Sequence, residues 1–326
     1  MGAKILNIQT PETLFGRPRR DSSSREPVPG QAFKDCVLER VLERGTLGTV
    51  WLAWQEGLKR HVQVKVFGKA VSGDSGLLEQ GRRMATLDHP GLSDVLHLGQ
   101  QDGHFFLVRE HVQGRRLDQL LGARFVGRPD TLDGSFFRLP SVPSLLAIWG
   151  TWEAIVAKWG RDLACGLSHA HRHGILHRAL WSGNVLVDRE GSARLHDFWL
   201  AHDSRPRSLP KLCGYLAPEE EAGDCPDART DVFGLGVILY ECLTGTMPYA
   251  VEHGSQEVAV GFGDAPIPLG KVCTNISPQL AATVMRAIQV DPGCRYETMA
   301  QMGESFGPTL QRKRPLLASI RKWFSA

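Results

Sequence analysis

The sequence predicts an α+β protein: a small strand-rich lobe, then a larger helix-rich lobe, with a cleft between them. Three observations lead there. Alternating and β-branched runs separated by turn residues fill residues 37–108, stretches of helical period begin after residue 145, and no segment repeats along the 326-residue chain. A composition of 42% hydrophobic and 22% charged residues fits a globular chain, and excludes a disordered or fibrous one. A chain of this length buries roughly three quarters of its unfolded surface. Its longest strongly apolar run, Phe233 to Tyr240, is far short of the ~20 residues of a spanning helix, and no signal peptide is read at its start.

Residues 1–32 are rich in Pro, Ser and Arg without a sustained hydrophobic period, which reads as a flexible arm, with order expected to begin near Phe33. Val37–Val41, Thr49–Ala53 and His61–Val66 read as three antiparallel strands. Leu77–Leu87 reads as a helix stopped by His89-Pro90, and Val95–Leu98 and Phe105–Val108 as two more strands around an Asp102-Gly103 turn. Together these make a five-stranded antiparallel lobe with one helix. Residues 122–152, with clustered prolines and glycines and with Trp149 and Trp152, read as an insertion. It runs into the start of a helix expected at Leu145–His173; further helices are expected at Asp231–Leu243 and Pro278–Ile288, and short strands at Val185–Val187 and Ala193–Leu195.

The 38 Lys and Arg against 35 Asp and Glu give a net charge of +3, too small for a nucleic-acid binder. That charge is uneven: residues 308–326 carry five basic and no acidic residues, leaving −2 for the rest of the chain. Leu316, Leu317, Ile320, Trp323 and Phe324 recur at helical spacing in this tail, so it reads either as a final helix packed on the domain or as a basic amphipathic segment for an anionic membrane surface. Seven scattered cysteines without a Cys-x-x-Cys pair argue against a disulfide framework and against zinc, so a reduced cytoplasmic setting is the expectation. The Asn275-Ile276-Ser277 sequon then has little meaning, and Leu6 spoils a myristoylation signal at Met1-Gly2.

The chemistry lies in ordered motifs. Glu43-Arg44-Gly45-Thr46-Leu47-Gly48-Thr49-Val50 alone is more commonly a hairpin turn than a phosphate loop, and Lys65 alone is as readily an exposed strand lysine as a phosphate ligand. The second lobe adds His177-Arg178-Ala179-Leu180-Trp181-Ser182-Gly183-Asn184, then Asp197-Phe198-Trp199, Gly214-Tyr215-Leu216-Ala217-Pro218-Glu219, Asp231-Val232-Phe233-Gly234, and Arg295 after Asp291-Pro292. Over roughly residues 36–306 this order resembles the eukaryotic-type Ser/Thr protein kinase family.

The resemblance implies a bilobal kinase-like fold, with ATP held by Gly45, Gly48, Val50, Lys65, Glu110 and Leu186, and Mg²⁺ by Asn184 and Asp197. It implies structural roles for His177, Arg178, Phe198, Glu219, Asp231 and Arg295, with Glu219 and Arg295 as a buried ion pair and Asp231 holding the catalytic loop by its backbone. The departures fall on chemistry. Ala179 stands at the catalytic aspartate, Trp181 at the lysine two residues on, and Leu212 at the threonine three before Tyr215. A methyl accepts no proton, and positioning by a general base is worth ~10²–10⁴-fold. Other changes bear on the nucleotide: Gln80 rather than Glu79 falls at the helix partner of Lys65, Glu43 replaces a glycine, Gln63 an alanine, Trp199 a glycine, and Arg109 stands at the gatekeeper position. These large side chains either fill the adenine pocket or swing to solvent and leave it open.

The leading expectation is a pseudokinase acting as a regulatory or scaffold module for protein partners. A weak or atypical Ser/Thr kinase is the alternative. A third reading, a different transfer using His196 or Ser182 near Ala179, is the weakest, since both are ordinary loop residues. Ser204 and Ser208 lie among Arg205, Arg207 and Lys211 in the short segment from Asp197 to Glu219, where the resemblance would pair a phosphate with Arg178.

Overall fold

In the computed structural model the described residues are 26–45, 48–68, 75–126, 151–198, 212, 214–253, 258–262, 265–273 and 276–311. They fall into two compact units, one ending at Val112 and the other starting at Gln113. The arm up to residue 25, most of the 122–152 insertion, Trp199, Ser204, Ser208 and the tail from 312 lie outside the described residues.

The first unit is an antiparallel sheet in the order β1-β2-β3-β4-β6-β5: β1 Ala32–Phe33, β2 Cys36–Gly45, β3 Gly48–Gln55, β4 Arg60–Phe67, β5 Val95–Gln101 and β6 His104–Glu110. It has six strands where the sequence predicts five. A two-residue strand carries no readable period, yet Phe33 is fully buried, its ring centroid 5.2 Å from that of Phe106. β2 runs longer than its alternation suggests because register shifts at Leu38/Arg40 and Val41/Glu43 interrupt the period. Asp102 and Gly103 have φ of 52° and 76°, the left-handed pair a tight hairpin turn needs.

Alternation sorts the two faces of β4. Val62, Val64 and Val66 join Trp51, Ala53, Phe106, Val108, Phe33, Cys36 and Leu38 in an apolar core, which leaves Gln63, Lys65 and Phe67 on the opposite face. Helix α1 (Ser75–Ala85) brings Gly81 onto β5, where an added Cβ would lie 2.3 Å from Leu98 Cδ2.

The second unit is mainly helical. A three-stranded sheet, β7 (Gly114–Arg116), β8 (Val185–Asp188) and β9 (Ala193–Leu195), precedes a separate hairpin of β10 (Ala250–His253) and β11 (Val258–Gly261), and the sequence reading foresaw neither β7 nor this hairpin. After α2 (Leu117–Val126), α3 (Trp152–Arg172) starts at Thr151, whose hydroxyl caps the Ala154 amide, and buries Ile155, Trp159, Leu163 and Leu167 at helical spacing. α4 (Pro218–Ala222) follows, then α5 (Ala228–Thr244). Helix α5 has an Asp227/Thr230 capping box and ends at Gly245 with φ of 77°. It is buried on nearly every side, the signature of a central helix. Helices α6 (Leu269–Val272), α7 (Pro278–Ala287), α8 (Met299–Ser305) and α9 (Gly307–Gln311) complete the unit. Among the described residues no helix is long and apolar enough to cross a membrane, and no group of three or more His, Cys, Asp and Glu is placed to hold a metal ion.

Candidate active site

In the first unit the glycine-rich turn joins β2 to β3 through the pair Gly45 and Gly48. At Gly48 φ is +150° and an added Cβ would sit 2.1 Å from the Val66 carbonyl oxygen, so only glycine lets the strands approach there. Thr46 and Leu47 lie outside the described residues. Val50 is buried opposite Lys65 on β4, Glu43 is half-buried, and Glu110 ends β6 with its amide on the Asp94 carbonyl. Lys65 is itself buried, its ammonium 5.6 Å from the centre of the Phe67 ring. On α1, Glu79 is exposed and Gln80 half-buried.

Gln63 and Arg109 do not swing to solvent. They are directly opposed residues of β4 and β6, 7% and 5% exposed, and Arg109 Nε donates to Gln63 Oε1 at 2.8 Å. Opposed residues share a face, so both side chains stand on the face that carries Lys65. Gln63 Nε2 lies 3.3 Å from His111 Nδ1, and burial is the main cause that lowers the pKa of His111, with His61, Arg40 and Arg109 adding to it. A neutral His111 thus accepts at Nδ1 from the amide.

In the second unit everything is referred to Asp231 on α5. Its carboxylate accepts the backbone amides of His177 (2.8 Å) and Arg178 (2.9 Å) and a bond from His171 Nε2 (2.7 Å). Burial alone would raise its pKa, but the hydrogen bonds from the His171 ring and the His177 amide outweigh that and hold it below the usual range. Arg178 is thereby kept at φ of +57°. His177 is fully buried, with Nε2 3.2 Å from the His196 carbonyl oxygen, so the proton is on Nε2 and Nδ1 accepts the Ala179 amide at 3.3 Å. Burial pushes its pKa down to about 4, and its ring lies 4.4 Å from that of Phe198.

Asn184 Nδ2 donates to the carbonyls of Ala179 (2.8 Å) and Asp197 (3.4 Å), which leaves its amide oxygen as the hard donor of that side chain. Asp197 has φ of +58°, and its Oδ2 is 3.4 Å from His196 Nδ1. Within the second unit the amide oxygen of Asn184 and the carboxylate of Asp197 are donors that suit Mg²⁺, and within the first unit the Lys65 ammonium suits a phosphate. Gln63 and Arg109 fit a base less well than a small residue would, because a purine would have to pack against a buried amide and guanidinium.

Around this frame the three departures are accommodated by packing. Ala179 is 4% exposed and Leu212 1%, the latter with its carbonyl accepting the Tyr215 amide. Trp181 folds over its own loop: a Cβ added at Gly183 would lie 2.1 Å from the indole Cη2, and the Arg116 guanidinium sits 5.5 Å from the ring centre while its Nε holds Asp118 at 2.9 Å. Leu186, on β8, is buried opposite Arg116. Of the alternative bases, Ser182 Oγ is 3.0 Å from the Tyr215 hydroxyl, which donates to Glu241 at 2.6 Å, and His196 is buried beside Asp197. Burial raises the pKa of Tyr215, with Glu241 adding to it, so the phenol stays protonated.

Glu219 and Arg295 form a bidentate pair at 2.7 and 2.8 Å, extended by Thr230 Oγ1 at 3.0 Å. Burial would raise the Glu219 pKa, and the Arg295 bonds hold it down instead. Arg295 spends its other donors on the carbonyls of Gln289, Arg229 and Val290. Sequence reasoning missed Arg116, Glu241 and Glu220. Glu220 Oε1 accepts from Arg178 Nε at 3.3 Å, and the only sequence signal for it is its place beside Glu219.

Residues 37–306 match the family model of the protein kinase domain. The chain is similar to the serine/threonine-protein kinase PrkC of Bacillus subtilis, 27% identical over 274 residues that cover 81% of this chain and 38% of PrkC. PknB of Mycobacterium leprae is 30% identical over 280 residues (80% and 41% covered), and PknL of Mycobacterium tuberculosis 28% over 297 residues (87% and 68%). The chain thus spans about two fifths of the length of PrkC and PknB. Among solved structures, the kinase domain of Mycobacterium tuberculosis PknI aligns with a TM-score of 0.64 at 23% identity, covering 87% of this chain and 99% of that one. Rad53 1–466 in complex with AMP-PNP gives 0.63 at 20% identity, over 85% and 66%. At these identities the structural likeness is one of fold.

Proposed function

Since the chain belongs to the protein kinase family, we propose that it is a kinase domain deficient in phosphotransfer that works by binding protein partners. The observation that carries this reading is the Ala179 methyl, buried in a loop whose backbone supports are otherwise complete: Asp231 on His177 and Arg178, Asn184 on Ala179. The scaffold is built for a hydroxyl acceptor, and the group that would orient that hydroxyl is absent. Trp181 and Leu212 add to the loss, since neither supplies a cation or a hydroxyl.

ATP with Mg²⁺ belongs to this proposal as a conformational ligand held by Lys65, Asn184 and Asp197, with Gly45, Gly48, Val50, Glu110 and Leu186 around it. Mg²⁺, when bound, would neutralise phosphate charge. The chain's own residues hold and orient the nucleotide. Cytoplasmic residence and a tail that touches an anionic membrane surface are part of the same proposal.

A second reading, a weak serine/threonine kinase, is favoured by the retention of Lys65, Asn184 and Asp197 and by relatives named as such kinases. Phosphoryl transfer rests mainly on positioning and electrostatics, so residual turnover without a base is physically allowed. Two measurements on the full chain separate the readings. One is a thermal-shift titration with ATP and Mg²⁺ against Lys65→Ala; the other is radiolabelled phosphate transfer to a generic protein substrate. The pseudokinase reading expects no transfer above a Lys65→Ala, Asp197→Asn blank, whatever the shift. Transfer above that blank establishes the weak kinase.

A further inference from the structure

We propose that Glu220 is a built-in counter-ion for Arg178, so that the catalytic-loop guanidinium is neutralised from within the fold and takes no external oxyanion while Glu220 is ionised. Two consecutive glutamates of the short helix α4 serve two different arginines. Glu219 commits both oxygens to Arg295, whereas Glu220 receives Arg178 Nε at 3.3 Å. The side chain of Glu220 is 5% exposed and that of Arg178 30%, so the carboxylate lies beneath the guanidinium. The backbone from which Arg178 projects is fixed, its amide on Asp231 and its φ at +57°.

The charged groups facing Glu220 are Arg178 from the catalytic loop, Asp231 from α5 and Glu219 from its own helix; Asp231 is hydrogen-bonded to His171 and Glu219 is paired with Arg295. Burial is the largest influence on Glu220 and raises its pKa to about 7 against the pull of Arg178. Glu220 is therefore ionised at pH 8.5 and neutral at pH 5.5, and the latch that occupies Arg178 opens in acid. None of this depends on whether the domain transfers phosphate, so its failure and that of the proposed function are distinct.

Inorganic sulfate, a dianion at both pH values, is the probe, with chloride at matched ionic strength as reference and Tm of the full chain as readout. The double variant Arg178→Gln, Glu220→Gln sets the baseline for the general stabilising action of sulfate. The expected result is a rise above that baseline of about 2 °C, at sulfate near ten times its dissociation constant, for wild type at pH 5.5 and for Glu220→Gln at both pH values, with none for wild type at pH 8.5. A rise for wild type at pH 8.5 equal to that of Glu220→Gln overturns the proposal, as does a Glu220→Gln that never exceeds the baseline. Should Glu220→Gln fail to fold, wild type alone decides: a sulfate response at pH 5.5 that is absent at pH 8.5 supports the latch, and equal responses overturn it.

Discussion

His177 and Ala179 stand two residues apart in one loop and belong to different kinds of structure. Everything that fixes the loop's backbone is in place and satisfied: a neutral His177 held between the His196 carbonyl and the Ala179 amide, two amides on Asp231, and Asn184 on the Ala179 carbonyl. The positions whose side chains would face a substrate hold a methyl, an indole folded back over Gly183, and a buried leucine. The scaffold and the chemistry of a kinase loop are thus separable, because the scaffold is held by backbone groups and by residues behind the loop, none of which requires the aspartate.

The comparison breaks most sharply on the scaffold side. Asp231→Ala removes the acceptor of two loop amides and the partner of His171, and Arg295→Met leaves the half-buried Glu219 without its bidentate partner. Breaking a buried ionic network by removing one member costs about 3–5 kcal/mol. Urea unfolding should show each variant losing stability on that scale, and a loss below about 1 kcal/mol in both would mean that the loop is held some other way.

A smaller effect is expected from pH. His177 is neutral in the fold with a pKa of about 4, below its ordinary 6.5, so the unfolded chain binds the extra proton first and stability falls as pH drops from about 6.5 toward 4. The loss at the acid end is on the order of 3 kcal/mol. Glu220 acts with the opposite sign: its raised pKa lets the folded state hold the proton longer, so its contribution is present at low pH and fades as pH rises from about 4.5 to 7. The two nearly cancel in wild type. Glu220→Gln should unmask a steeper acid loss between pH 6.5 and 4.5, and parallel curves for the two proteins would remove either assignment.

Long, strongly periodic elements were legible in the sequence: β3, β4, α5 and α7 lie where their patterns placed them, within the shifts of caps and bulges, and α3 lies within the expected 145–173 stretch but starts at Trp152, residues 145–150 being outside the described residues. The two-residue β1, the bulged end of β2, β7 and the β10–β11 hairpin were not, because two to four residues carry no usable period and a bulge erases one. At the site, the resemblance to the kinase family pointed to Asp231, Glu219 and Arg295. They could not say whether Gln63 and Arg109 point in or out, because that depends on strand pairing: only the register that sets residue 63 against 109 places the two groups within hydrogen-bond reach. Glu220 was invisible for a related reason, since its partner is 42 residues away.

That pair gives the next effect. Removing one member costs the other a buried hydrogen bond, so Arg109→Met and Gln63→Ala should each be destabilising, by about 1–3 kcal/mol. The double variant replaces the pair by apolar and small groups, recovers part of that loss, and should tighten ATP binding roughly tenfold in the thermal-shift titration. Unchanged affinity would mean that the pair does not obstruct the base.

The smallest effect is expected where a motif comparison would put the largest. Ala179→Asp restores a carboxylate at the position of the general base, worth ~10²–10⁴-fold where the rest of the site is set for it. Here Trp181 covers Gly183 beside Arg116, and Leu212 supplies no hydroxyl. The new carboxylate would therefore enter a loop lacking the cation and hydroxyl that should hold the acceptor with it, and groups that act as a unit are strongly non-additive. Single reversion should change phosphate transfer by less than about tenfold, while Ala179→Asp with Trp181→Lys and Leu212→Thr should exceed the product of the three single effects. A single reversion that restores transfer outright would show that the indole moves aside, and that only one methyl separates this loop from a working one.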